Sequence, residues 1–176
     1  MGFTKRRSAN RRTGRTTFIA CALAGAALTV PSAAGAADVF VAATDGNRLV
    51  SFASDSPGNI RSSVAIKNLA SGEKVLGLDI RPATGQLYAL GSSSRLYTVD
   101  RTSGAATAIG SAPFAIALNG TSFGFDFNPT VDRIRIVSNT GQNLRAHPDL
   151  GTIVDFDMNS AGVQPDGNLS YASTDA

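Results

Sequence analysis

The phrase "GLDIRPATGQLYAL" at 77–90 returns as "GFDFNPTVDRIRIV" at 124–137, and this duplication constrains the fold more than any other feature of the chain. Gly77, Asp79 and Pro82 align with Gly124, Asp126 and Pro129 at a common offset of 47 residues, and Arg48-Leu49 aligns with Arg95-Leu96 at the same offset. Within a unit, short β-branched and aromatic runs are separated by "PATG", "GSSS" and "RTSG", whose Pro, Gly and Ser residues supply the dihedrals of tight turns. Strands are predicted over Val75–Ile80, 86–90, Arg95–Val99 and 105–109, and no helical periodicity competes with them. Four short strands in a unit of this length are the signature of a propeller blade. The expected fold is therefore all-β, a β-propeller-type repeat of four-stranded antiparallel blades, with a meander or sandwich as the competing architecture.

Residues 1–37 read as an export leader and 38–176 as the folded part. Lys5, Arg6, Arg7, Arg11, Arg12 and Arg15 precede an apolar run at 18–30, and "SAAGAA" follows with small residues at the cleavage positions. The run is shorter than the ~18 to 20 residues that cross a bilayer, so a signal peptide is expected and no membrane insertion after its removal. Arg11-Arg12 lacks the apolar residues that a twin-arginine signal carries next, and Cys21 stands near the start of the apolar run, where a lipoprotein anchor does not. The expected location is extracellular or periplasmic.

Without the leader the balance of charge changes sign. Six of the 16 Lys and Arg residues lie in it and none of the 13 acids, which leaves a net charge of −3. Nucleic acid is therefore not an expected partner. The only cysteine goes with the leader too, so neither disulfides nor thiol chemistry serve the rest, and stability has to come from a core.

The folded part holds one unit without its first strand (38–66), a complete unit (75–110) and a third (122–157). Propellers close with roughly four to eight blades, because a blade is buried only by neighbours on both sides. A chain that opens on a blade's second strand usually receives the missing strand from its other end, yet "GNLSYASTDA" offers no counterpart of "VLGLDI". About three blades are present, and the expectation is the N-terminal part of a longer propeller or a chain that assembles with other copies.

"LGLDIRPATGQLYALG", "TSFGFDFNPTVDRIRIVS" and "TGQNLR" together resemble a family of secreted bacterial proteins catalogued as domain of unknown function 4394. The resemblance runs from about residue 39 to the C-terminus. It implies a propeller-like β fold, a signal peptide and a longer chain, and it carries no catalytic residues to transfer.

Asp79 and Asp126 follow apolar strands and could serve acid–base chemistry or a cation. Recurrence at one position of successive units instead marks them as scaffold, with each carboxylate expected to accept N–H groups of the proline-containing turn that follows. Chemistry is better sought where the repeat breaks. Arg133 replaces Gln86, Arg135 replaces Tyr88, and Arg145 and His147 enter the next strand. Forked guanidinium donors suit an anion such as a carboxylated sugar, but the favoured reading is that Arg133 and Arg135 pair with Asp126, Asp132 or acids of an adjacent blade, because unpaired charge on a largely buried face is costly. Which of the four share a face depends on register.

"DFDMNSAGVQPD" puts Asp155, Asp157, Asn159 and Asp166 at the first, third, fifth and twelfth positions of a calcium-loop pattern. Ser160 occupies the place of the sharp-turn glycine and Asp166 that of the bidentate Glu, so a solvated acidic loop is the favoured reading and no cofactor is expected. Nucleophilic catalysis has little support, since His147 is the lone histidine and no nucleophile elbow or zinc spacing is present. "TDGNRL" and "SNTGQN" lack the lysine and helix of a phosphate loop. The expected role is a secreted, noncatalytic binding or envelope-associated module, with carbohydrate or another envelope protein as partner. The alternatives are a carboxylate- or metal-dependent hydrolase, lactonase or lyase, and a truncated chain without independent activity.

Overall fold

The computed structural model describes residues 37–170, so the leader expected at 1–37 lies, but for its last residue, outside the described residues. Among them there is no helix, and hence none long and apolar enough to cross a membrane. Three antiparallel sheets follow one another along the chain. The first contains β1 (Val39–Ala43), β2 (Arg48–Ala53) and β3 (Ser56–Ala65). The second contains β4 (Val75–Ile80), β5 (Leu87–Gly91), β6 (Arg95–Val99) and β7 (Ala106–Ile109). The third contains β8 (Phe123–Asn128), β9 (Arg133–Ser138), β10 (Asn143–His147) and β11 (Thr152–Ile153). Each sheet is a meander and the set does not close, which is the arrangement of an incomplete series of propeller-like blades. The strands expected at Val75–Ile80 and Arg95–Val99 are found with those bounds, and β5 and β7 each begin one residue later than expected.

Burial along a strand reports how many faces of its sheet are covered. Every residue of β5 is buried, because the second sheet lies between the other two. Tyr88, Leu90 and Leu96 pack toward the third sheet against Phe127, Ile134, Ile136 and Leu144. Leu87, Ala89, Tyr97 and Val99 pack toward the first, against Leu49 and Val41. In β9 burial alternates, with Ile134 and Ile136 enclosed and Arg133 and Arg135 only half-covered, since the third sheet is covered mainly on one side. The first sheet shows the reverse. Its outer face carries Phe40 and Phe52, stacked at 5.8 Å, with Ile60 opposite Phe52, and Phe40 and Ile60 are 51% and 53% exposed.

The full sheets meet along their first strands, β4 against β8. At Gly77 a Cβ would stand 2.6 Å from Cβ of Phe125, so the glycine is what allows the two strands to approach. Asp79 works at the same seam. Its Oδ2 accepts the N–H of Phe127 at 2.7 Å and its Oδ1 that of Ile80 at 2.8 Å. The aspartate serves the seam as scaffold, but the expected partner is corrected: its oxygens are taken by its own neighbour Ile80 and by the adjacent sheet, not by the proline-containing turn that follows.

The repeat extends to backbone geometry that residue identity conceals. Asn47, Ser94 and Gly141, spaced by the same 47 residues, take φ of 54°, 62° and 83°. Only the last is glycine. Asn47 offsets the strain by donating to Glu73 O at 2.7 Å and accepting from Val75 N at 2.9 Å, and Ser94 accepts the N–H of Leu118 at 2.9 Å.

Candidate functional site

Register settles which basic residues act together. Asp126 pairs with Arg135 and Arg135 with Arg145, while Asn128 pairs with Arg133. Arg133 and Arg135 are two residues apart on β9, and Arg145 and His147 two apart on β10, so all four point away from the second sheet. The intervening Ile134, Ile136, Leu144 and Ala146 fill the core on the other side. The outward face of the third sheet therefore collects every residue of the expected anion site.

The segment after β11 folds back over this face. It begins with Val154 donating to Arg145 O at 2.7 Å, and it delivers Asp166, a buried carboxylate. Arg135 Nη1 donates to Asp166 Oδ2, and Arg145 Nε lies 3.0 Å from the same carboxylate. Arg135 also donates to Asn143 Oδ1 at 2.7 Å, and the Asn143 amide in turn donates to Gly167 O at 2.9 Å, which holds the segment in place. Acidic pairing, the favoured expectation for these arginines, is present, but Asp166 supplies it and not Asp126 or Asp132. Arg133 donates only to backbone carbonyls, those of Asp132 at 2.9 Å and Val131 at 3.4 Å. His147 Nδ1 accepts the N–H of Asp149 at 3.2 Å.

Chemically, this face is an ion cluster with one carboxylate shared by two guanidiniums. The cavity among Asn128, Val131, Arg133, Arg135 and Arg145 measures about 20 Å³, room for about one water molecule and too small for a carboxylated ligand. An acidic ligand would have to meet Arg133 at the surface or take the place of the Asp166 carboxylate.

The calcium-loop residues are not gathered. Asp166 faces the arginines. Asp155 Oδ1 accepts from Asp157 N at 3.1 Å and Gln164 N at 3.0 Å, while Asp157 accepts from the Ser160 hydroxyl at 2.7 Å and Asn159 N at 3.0 Å. The Ser160 and Asn159 bonds hold the Asp157 carboxyl below the usual range. Among the described residues no group of three or more His, Cys, Asp and Glu side chains is placed to hold a metal ion.

Sequence reasoning missed two polar clusters. Arg81, 7% exposed, reaches from the second sheet into two turns of the third. It donates to Asp132 (Nε–Oδ1 2.9 Å, Nη2–Oδ2 2.5 Å), to Asp149 (Nη1–Oδ1 2.5 Å) and to Tyr88 Oη at 3.2 Å. The signal was available, because each of the three charged residues breaks the repeat: Arg81 stands where the next unit has Asn128, Asp132 where the previous has Gly85, and Asp149 where it has Thr102. Glu73, 5% exposed, accepts from Ser93 N at 2.6 Å, Ser93 Oγ at 2.5 Å and Tyr97 Oη at 3.0 Å. Burial raises the Tyr97 pKa. Nothing in the local sequence marks Glu73, whose partners lie about twenty residues away.

The family model described as Domain of unknown function (DUF4394) matches residues 48–176. The chain belongs to this family. The matched stretch takes in the second and third sheets with both polar clusters, and the family assigns no activity to them. No curated protein matches the chain.

Proposed function

We propose that the chain is an exported, noncatalytic binding module whose recognition surface is the outward face of the third sheet. The observation that carries this reading is the register that places Asp126, Arg133, Arg135, Arg145 and His147 on one face. Export, to the periplasm or the medium, is supported by the leader at 1–37. The ligand is an acidic group, on a carbohydrate or an envelope protein, that approaches Arg133 and competes with Asp166 for Arg135 and Arg145. Each arginine spends a single nitrogen on Asp166, Nη1 of Arg135 and Nε of Arg145, and a guanidinium can donate through two N–H groups to a competing carboxylate.

Titration calorimetry with polygalacturonate at low and high salt tests the reading. Saturable binding is expected, weakened at least about fivefold by Arg133→Ala or Arg145→Ala and by added salt. Asp166→Asn removes the competing charge and strengthens it. Absence of binding, or binding indifferent to these arginines, overturns the assignment.

A further inference from the structure

The first sheet has three strands where the second and third have four, and the position without a strand lies beside β1. Among the described residues no strand pairs with the outer edge of β1, which leaves a row of backbone donors and acceptors open. Between that edge and β4 runs an apolar groove of about 300 Å³, lined by Val39, Phe40, Val41, Leu78, Ile80 and Leu87, with Asp79 at its side.

The repeat specifies what the groove would hold. In the second sheet Gly77 stands opposite Leu90, Asp79 opposite Tyr88 and Ile80 opposite Leu87. One repeat earlier, those positions on β1 are Ala43, Val41 and Phe40. Across the seam, Gly77 lies against Phe125 and Asp79 takes the N–H of Phe127. One repeat earlier, those positions on β4 are Leu78 and Ile80. By the same repeat, a guest strand would place a glycine against Leu78, as Gly77 lies against Phe125, and an aspartate two residues on to reach the N–H of Ile80. That N–H is bonded at present to its own neighbour, Asp79 Oδ1, at 2.8 Å.

We propose that the groove between β1 and β4 is a strand-binding site. Its occupant is an extended segment of pattern apolar–Gly–apolar–Asp–apolar, running antiparallel to β1 and supplied from outside these 176 residues. The source follows from the sequence: the two Gly-x-Asp segments, at Gly77 and Gly124, are already β4 and β8, and neither 1–36 nor 171–176 contains another. Strand addition of this kind draws affinity from main-chain hydrogen bonds and selectivity from alternate side chains. The site is separate from the charged face of the third sheet and does not depend on it.

The probe is a fluorescein-labelled peptide "KVLGLDIRP", the sequence of 74–82, titrated into the full chain and followed by anisotropy, with hydrogen exchange to locate it. Saturable binding is expected, together with slowed exchange of the β1 amides. The same peptide carrying Gly77→Val should bind at least about tenfold more weakly, because the added side chain overfills the seam. The peptide carrying Asp79→Ala should lose about fivefold through the missing N–H acceptor. Absence of saturable binding, equal binding by the Gly77→Val peptide, or protection away from β1 each overturns the proposal. So does a chain that sediments as a dimer with β1 already protected and takes up no peptide, since a second copy would then be the occupant.

Discussion

Asp79 and Phe127 are joined across the boundary between the second and third sheets, with the carboxylate Oδ2 of one accepting the backbone N–H of the other at 2.7 Å. Asp126, one repeat later, is exposed and makes no hydrogen bond through its side chain among the described residues. Equivalent residues thus differ in consequence, because a repeat's contacts exist only where the next sheet is present to receive them.

Asp79→Ala should destabilise the fold by roughly 1–3 kcal/mol, the cost of stranding an N–H at a covered seam. Asp126→Ala should stay within about 0.5 kcal/mol of the parent, as surface changes do. Urea unfolding of the two variants checks the difference, and equal effects would mean that the seam bond contributes nothing.

Arg81 makes the seam sensitive to acid. Its hydrogen bonds are the leading cause that holds the carboxyls of Asp132 and Asp149 below their ordinary value of 3.8. The folded chain therefore binds fewer protons than the unfolded chain near that pH. The stabilisation is present above about pH 4 and is lost as the pH falls through the lowered values. Arg81→Met should cost roughly 1.5–3 kcal/mol at neutral pH, the range of lost charge-assisted hydrogen bonds, since the carboxylates it leaves behind, 34% and 59% exposed, reach solvent. It should also flatten the fall in melting temperature between pH 5 and 3, measured by thermal scans. An unchanged slope would assign the acid response to other groups.

Gly77→Ala places a methyl group 2.6 Å from Cβ of Phe125 and should cost about 1–3 kcal/mol by overpacking. A double-mutant cycle with Phe125→Gly should recover part of that loss, because it removes the Cβ that the new methyl group meets. Strict additivity of the two changes, read from denaturant midpoints, would show that the strands separate without resistance.

Millimolar calcium should leave the melting temperature unchanged, since the Asp155 and Asp157 carboxylates accept bonds from their own loop and Asp166 faces the arginines. A site filled at a hundredfold excess over its dissociation constant would add about 2.7 kcal/mol. A rise of that order that vanished in Asp155→Ala would restore the calcium loop.

The four strands of the second sheet were legible in the sequence because short β-branched and aromatic runs and the turn chemistry between them are local, and the 47-residue repeat made the third sheet readable from the second. The breaks in that repeat pointed to Arg133, Arg135, Arg145 and His147 for the same reason: a residue that departs from a pattern is visible without coordinates. Their partner was not visible. Asp166 lies 31 residues from Arg135 and reaches it because the segment after β11 turns back over the sheet, and Arg81 meets Asp149 across 68 residues. Charge pairing depends on distance in space, which register and loop path decide, whereas strand and turn depend on neighbours along the chain. The sequence by itself determined the unit, its strands and the face-forming alternation. Only the tertiary structure decided that the four basic residues share one face, that Asp79 bonds to the adjacent sheet, and that the edge of β1 stands open beside β4.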